Sequence, residues 1–194
     1  MAINNNAELT AAVQQASTLI QEINDYANGR EGLGDLAKVR FPTGFLRTAY
    51  YHRQRLNFVP DFLLRRNLSY AIMTHDVLRW LVQRTTITGQ AKDMLIKEAI
   101  CIVGSVCESL TIWPGHKGLG KGKSFADRAS RLRELGVIDE GTEVDLNWVW
   151  EIRCREHLAG VAVQEWNHYT MANWSRSIGA FRTLRDGLAA WRAH

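Results

Sequence analysis

The chain predicts an all-α fold, an antiparallel helical bundle, and three observations lead there. Apolar residues recur at spacings of three and four in every long segment. No stretch sustains two-residue alternation. Proline occurs three times, at Pro42, Pro60 and Pro114, which leaves long runs where helices can grow. The 194 residues, 46% hydrophobic and 23% charged, suit one compact unit and argue against disorder or a coiled-coil fibre.

Leu9, Val13, Ala16, Ile20, Ile23 and Ala27 share one face of a first helix, which Asn28-Gly29 ends. A shorter aromatic and basic helix fits between Pro42 and Pro60 (GFLRTAYYHRQRLNF). After Pro60, Leu64, Leu68, Ala71, His75, Leu78 and Val82 form a stripe that runs to the break at Thr88-Gly89. A strongly apolar helix follows from about Ala91 to Trp113, with Leu95, Ala99, Ile102, Val106 and Leu110 in line. WPGHKGLGKGKS, residues 113–124, is a loop, since its four glycines oppose a helix. Ser124, with Asp127 three residues on, caps a short helix that Gly136 closes. Acids then mark the start of a helix from about Glu143 to Leu158, and a last helix begins near Gln164. Residues 1–59 are expected to supply N-terminal helices packing on a helical domain of residues 60–194.

Several function classes fall away. MAINNNAELT lacks the basic and apolar regions of a signal peptide, and the longest apolar stretch, Ala99 to Cys107, is too short to span a membrane. Cys101, Cys107 and Cys154 form no CxxC pair and suit reduced thiols, so a cytoplasmic protein is expected. Gly115-x4-Gly120-Lys121 has P-loop spacing, but Gly122 stands where Ser or Thr must bind magnesium. Glu165 and His168 have the spacing of a di-iron motif without the second copy such a site needs. No metal or cofactor is expected, and His75, on an apolar face, reads as a hydrogen-bonded core residue.

Charge is more informative. The net charge is +4, yet seven bases stand against one acid from Lys38 to Arg66, and six against one from Gly115 to Arg133. Such local positive surfaces suit a polyanion, and Lys117, Lys121, Lys123 and Arg128 are candidate RNA contacts. The other reading of these runs is ordinary solvated faces balanced by the acids of Asp139 to Glu151.

The segment DLNWVWEIRCREHL stands apart. Leu146, Val149, Trp150, Arg153, His157 and Val161 follow the helical period, so two polar groups interrupt an apolar stripe. On a continuous helix Arg153 and His157 lie about 6 Å apart along the axis. A guanidinium on such a face needs an acid or a ligand. The structural reading pairs it with Glu108. In the functional reading His157 transfers a proton in RNA self-cleavage, and Arg153 neutralises charge on the phosphoryl oxygens without a metal.

Over about residues 60–190 the chain resembles bacterial HEPN-domain proteins (higher eukaryotes and prokaryotes nucleotide-binding), all-helical proteins that include RNases of toxin and defence systems. The resemblance rests on the order IKEAICIVGSVCESL, SFADRASRLRELGVID, WEIRCREHL. It implies an HEPN-like bundle with Arg153 as phosphate-stabilising residue, His157 as acid/base group and Glu108 as the acid of a neighbouring helix. Cys154 replaces the usual asparagine after the arginine, and only three residues separate Arg153 from His157. The resemblance further implies a homodimer with facing motifs, and RNA as substrate. Two alternatives stay open: a non-catalytic module binding RNA or a protein partner, and a toxin governed by an antitoxin or a nucleotidyltransferase.

Overall fold

The computed structural model describes residues 2–33, 37–40, 42, 44–113, 116–156, 164–165 and 167–192. Among them are seven helices and no strand: α1 (Asn6–Ala27), α2 (Ala49–Arg55), α3 (Phe62–Arg84), α4 (Gly89–Thr111), α5 (Phe125–Glu134), α6 (Glu140–Cys154) and α7 (Met171–Arg192). The chain divides into two compact units, Met1–Phe45 and Leu46–His194. The all-α expectation holds, and no described helix is long and apolar enough to cross a membrane.

In the smaller unit, the Asn5 side chain caps α1 by accepting from the Glu8 amide at 2.9 Å. Glu8 answers by accepting from the Asn4 amide. The apolar stripe of α1 is solvent-exposed, Val13 at 56% and Ile20 at 52%.

The larger unit is a helical bundle with α4 at its centre, touching α3, α5, α6 and α7. A central helix must be apolar nearly all round. The buried residues of α4 accordingly run from Val106 and Ala99 through Ile96, Cys107 and Ile100 to Gly104, Lys97 and Cys101, more than half of the cylinder. Facing them are Leu68 and Ile72 from α3, Leu132 from α5, Leu146 and Val149 from α6, and Leu184 and Leu188 from α7. α2, grouped with the N-terminal helices by the proline spacing, belongs to this larger unit and packs on α3.

Local rules set several boundaries. Ser124 and Asp127 form a reciprocal capping box on α5. Its other end closes on Gly136 at φ +69°, with Gly136 N–H donating to the Arg133 carbonyl and Val137 N–H to that of Leu132. That is the Schellman arrangement. Asp139 caps α6 through the Thr142 amide, so this helix begins at Glu140 rather than near Glu143. Two expectations are corrected. α6 ends at Cys154, not near Leu158, and α7 begins at Met171, not near Gln164.

Candidate functional site

Arg153 lies in the last turn of α6, half-buried against α4. Gly104 makes room for it: a Cβ at Gly104 would stand 2.8 Å from the Arg153 Cβ. The guanidinium carbon sits 5.1 Å from the centroid of the Trp150 ring, one turn earlier. The expected pairing with Glu108 is not made. Arg153 has no ion pair among the described residues, and its Nε is buried without a hydrogen-bond partner. A buried donor left in that state costs about 1–3 kcal/mol. Glu108, half-buried on α4, instead acts electrostatically on Arg128.

His157 lies outside the described residues. Because α6 stops at Cys154, the argument from a continuous helical face reaches only as far as Arg153. The helix stops where its backbone finds a distant partner. Lys97, on α4 and 2% exposed, donates from Nζ to the Arg155 carbonyl at 3.0 Å and to the Glu165 carboxylate. One ammonium thus holds both flanks of the segment between Glu156 and Gln164. The Tyr169 hydroxyl donates to the other Glu165 oxygen at 2.9 Å, and the Asn167 amide donates to Asp93. Burial would raise the Glu165 pKa, but Lys97 and Tyr169 hold it below the usual value. Glu165 therefore serves a structural ion pair. Cys154 is an exposed free thiol.

The basic loop resolves into two kinds of cation. Lys117, Lys121 and Lys123 are exposed. Arg128 is not a surface contact: it is 3% exposed, with Nε donating to Thr111 Oγ1 at 3.0 Å and Nη1 to the Lys123 carbonyl. Burial lowers its pKa, with Glu108 and Asp127 opposing. It anchors the loop to the end of α4. Leu119, fully buried, pins the loop's middle, and the Trp113 amide donates to its carbonyl at 2.8 Å. The loop follows a helix rather than a strand, which removes the setting a P-loop requires.

A second constellation was not anticipated. Asp76, on α3 and 1% exposed, gathers bases from three directions. Arg47 grips it with a two-pronged guanidinium contact, Nε to Oδ2 at 2.9 Å and Nη2 to Oδ1. His52 Nε2, from α2, meets Oδ2 at 3.0 Å, and Arg79 Nη2 approaches Oδ1 to 3.8 Å. Burial would raise the Asp76 pKa. The His52 and Arg47 hydrogen bonds, with the charges of Arg47 and Arg79, hold it far below the carboxylate range instead. His75 beside it is the expected core histidine: Trp174 Nε1 donates to its Nε2 at 2.8 Å, and desolvation lowers its pKa to about 4.

The signal in the sequence for this network was an acid beside His75 and one turn from Arg79, next to the apolar stripe of α3 in a region short of acids.

Among the described residues, no three His, Cys, Asp or Glu side chains are grouped to hold a metal ion. No protein-family model matches the chain, and no curated protein or solved structure is significantly similar to it.

Proposed function

We propose that the protein is a metal-independent endoribonuclease of a bacterial toxin or defence system, with Arg153 and His157 as its catalytic residues. The supporting observation is the unspent Arg153. The pairing with Glu108 that would give it a purely structural role is absent among the described residues, and Glu108 acts on Arg128 instead. A half-buried guanidinium with no acid partner among the described residues is suited to a phosphate. In the reaction the 2′-oxygen of RNA bonds to phosphorus, the bond to the 5′-oxygen breaks, and that oxygen leaves with a proton. His157 would move protons, and Arg153 would stabilise charge on the non-bridging oxygens. Exposed Lys117, Lys121 and Lys123 would hold the backbone, and the resemblance implies a homodimer with the two motifs facing.

The test is cleavage of RNA in excess EDTA. Products should end in 2′,3′-cyclic phosphate. His157→Ala should slow cleavage by about 10²–10⁴-fold with the melting temperature unchanged. Arg153→Lys keeps the charge but loses the planar fork, and should fall in activity more than in stability. Binding without cleavage by the wild type would overturn this reading.

One observation favours the second reading, a non-catalytic module that binds RNA or a protein partner such as an antitoxin or a nucleotidyltransferase. α6 ends one residue after Arg153, so helical periodicity does not seat His157 beside it.

A further inference from the structure

The Asp76 network forms one wall of a cavity of about 290 Å³ between α2, α3 and α7. Five arginines line it: Arg47, Arg55, Arg79, Arg182 and Arg185. No acid does. Asp76 sits behind the wall and is engaged by Arg47, while Arg185 is held by its neighbour Asp186 at 2.7 and 2.9 Å. Among the described residues Arg55 donates a hydrogen bond only to the Tyr51 hydroxyl, at 3.4 Å, and Arg182 has no ion pair. Positive charge is therefore in clear excess around a concave space, where low-dielectric walls concentrate the field.

The same cavity is also lined by apolar groups, Ile72 from α3 and Met171, Ile178 and Phe181 from α7, with Trp174 bonded to His75. A cavity lined by apolar groups with a few converging polar ones is the ordinary form of a small-molecule site. This volume lies at the lower end of the ligand-site range of about 300–1,000 Å³, enough for one small molecule and too small for a folded polymer. Planar guanidinium forks match the oxygens of a phosphate, and a doubly charged group answers several arginines at once.

We infer that this cavity binds a small phosphate monoester, with the phosphate on the Arg79–Arg182 side and an apolar or aromatic body against Phe181 and Ile178. Asp76 is a positioning residue: by gripping Arg47 and His52 it fixes the cationic wall against the mutual repulsion of its arginines. Arg79 is its other neighbour, at 3.8 Å, and keeps most of its guanidinium for the ligand. The site is distinct from Arg153, which packs between α6 and Gly104 of α4 and does not line this cavity.

Titration calorimetry on the full chain tests this, with adenosine 5′-monophosphate, adenosine and inorganic phosphate as the three probes. The nucleotide should bind at micromolar to submillimolar concentration and weaken as salt rises. Inorganic phosphate should bind more weakly, and adenosine should not bind detectably. Arg182→Ala, an exposed side chain with no ion pair to break, should lower nucleotide affinity about tenfold or more without moving the melting temperature of the free protein. Arg79→Gln should lower the affinity likewise, with a change in melting temperature of its own because Arg79 also approaches Asp76 at 3.8 Å. Adenosine binding as tightly as the nucleotide, no binding of the nucleotide at millimolar concentration, or unchanged affinity in both variants would each overturn the inference.

Discussion

Acidification from pH 7 to pH 4 should cost the protein roughly 3 kcal/mol through His75 alone, the free energy of the shift from 6.5 to about 4. His75 is 5% exposed, and its Nε2 already accepts the Trp174 indole proton at 2.8 Å. Protonating that nitrogen would place two donors face to face inside the bundle. Desolvation is the largest cause; the Asp76 charge opposes it, and Arg79, Arg47 and His52 each add a smaller repulsion in the same direction as burial. The unfolded chain accepts the proton near pH 6.5, the fold not until about pH 4. Stability is therefore intact above 6.5 and declines as pH falls to about 4, by up to ~1.4 kcal/mol per unit. Asp76, whose folded pKa is depressed, contributes stability that is lost only below the ordinary carboxylate value near 3.8, so its window lies beneath that of His75. Urea unfolding followed by far-UV circular dichroism at pH 7, 6, 5 and 4 gives the slope directly. His75→Gln keeps an acceptor for Trp174 and has nothing to titrate. Its stability should vary much less over that range. Parallel curves for the two proteins would show that the imidazole is not what titrates.

Two further substitutions probe the packing. A Cβ at Gly187 would stand 2.1 Å from the Val137 carbonyl oxygen, so Gly187→Ala must push α7 from the α5–α6 connection. It should cost about 1–3 kcal/mol in urea unfolding, although alanine is the better helix former, and a stabilised variant would contradict the close approach. Lys97→Met removes one partner of a buried pair and should cost about 3–5 kcal/mol, whereas Lys97→Met combined with Glu165→Gln should recover part of the loss; strictly additive effects would mean that the two groups do not interact.

Elements governed by near neighbours in the chain are legible in the sequence itself. Ser124, Asp127 and Gly136 act across three to five residues, and α5 has the bounds those residues impose. The end of α6 obeys a longer range. Lys97, 58 residues earlier than Arg155, takes the carbonyl there, and nothing in DLNWVWEIRCREHL announces it. Sequence periodicity also names faces rather than rotamers. It put Arg153 and Glu108 within reach of each other, but Gly104 and Trp150 give the arginine a different bed, and the carboxylate turns its field on Arg128.

Arg128 itself shows what a charge count along the chain omits. Phe125, Arg128, Ala129 and Leu132 stand at i, i+3, i+4 and i+7, the spacing of a buried helical stripe, and all four are buried. A base in that pattern belongs to the interior, where it must be satisfied by local acceptors. Thr111 and the Lys123 carbonyl supply them. Asp76 obeys the same rule: an acid beside His75 on the buried side of α3 must be matched by bases, and Arg79 one turn on, with Arg47 and His52 from before Pro60, supply them. Periodicity decides which charges meet solvent, and only those left over after the interior has been matched are available to a polyanion. In the loop before α5 those are Lys117, Lys121 and Lys123. Around the α2–α3–α7 cavity they are Arg55, Arg79 and Arg182, which among the described residues have no acid closer than the 3.8 Å between Arg79 and Asp76.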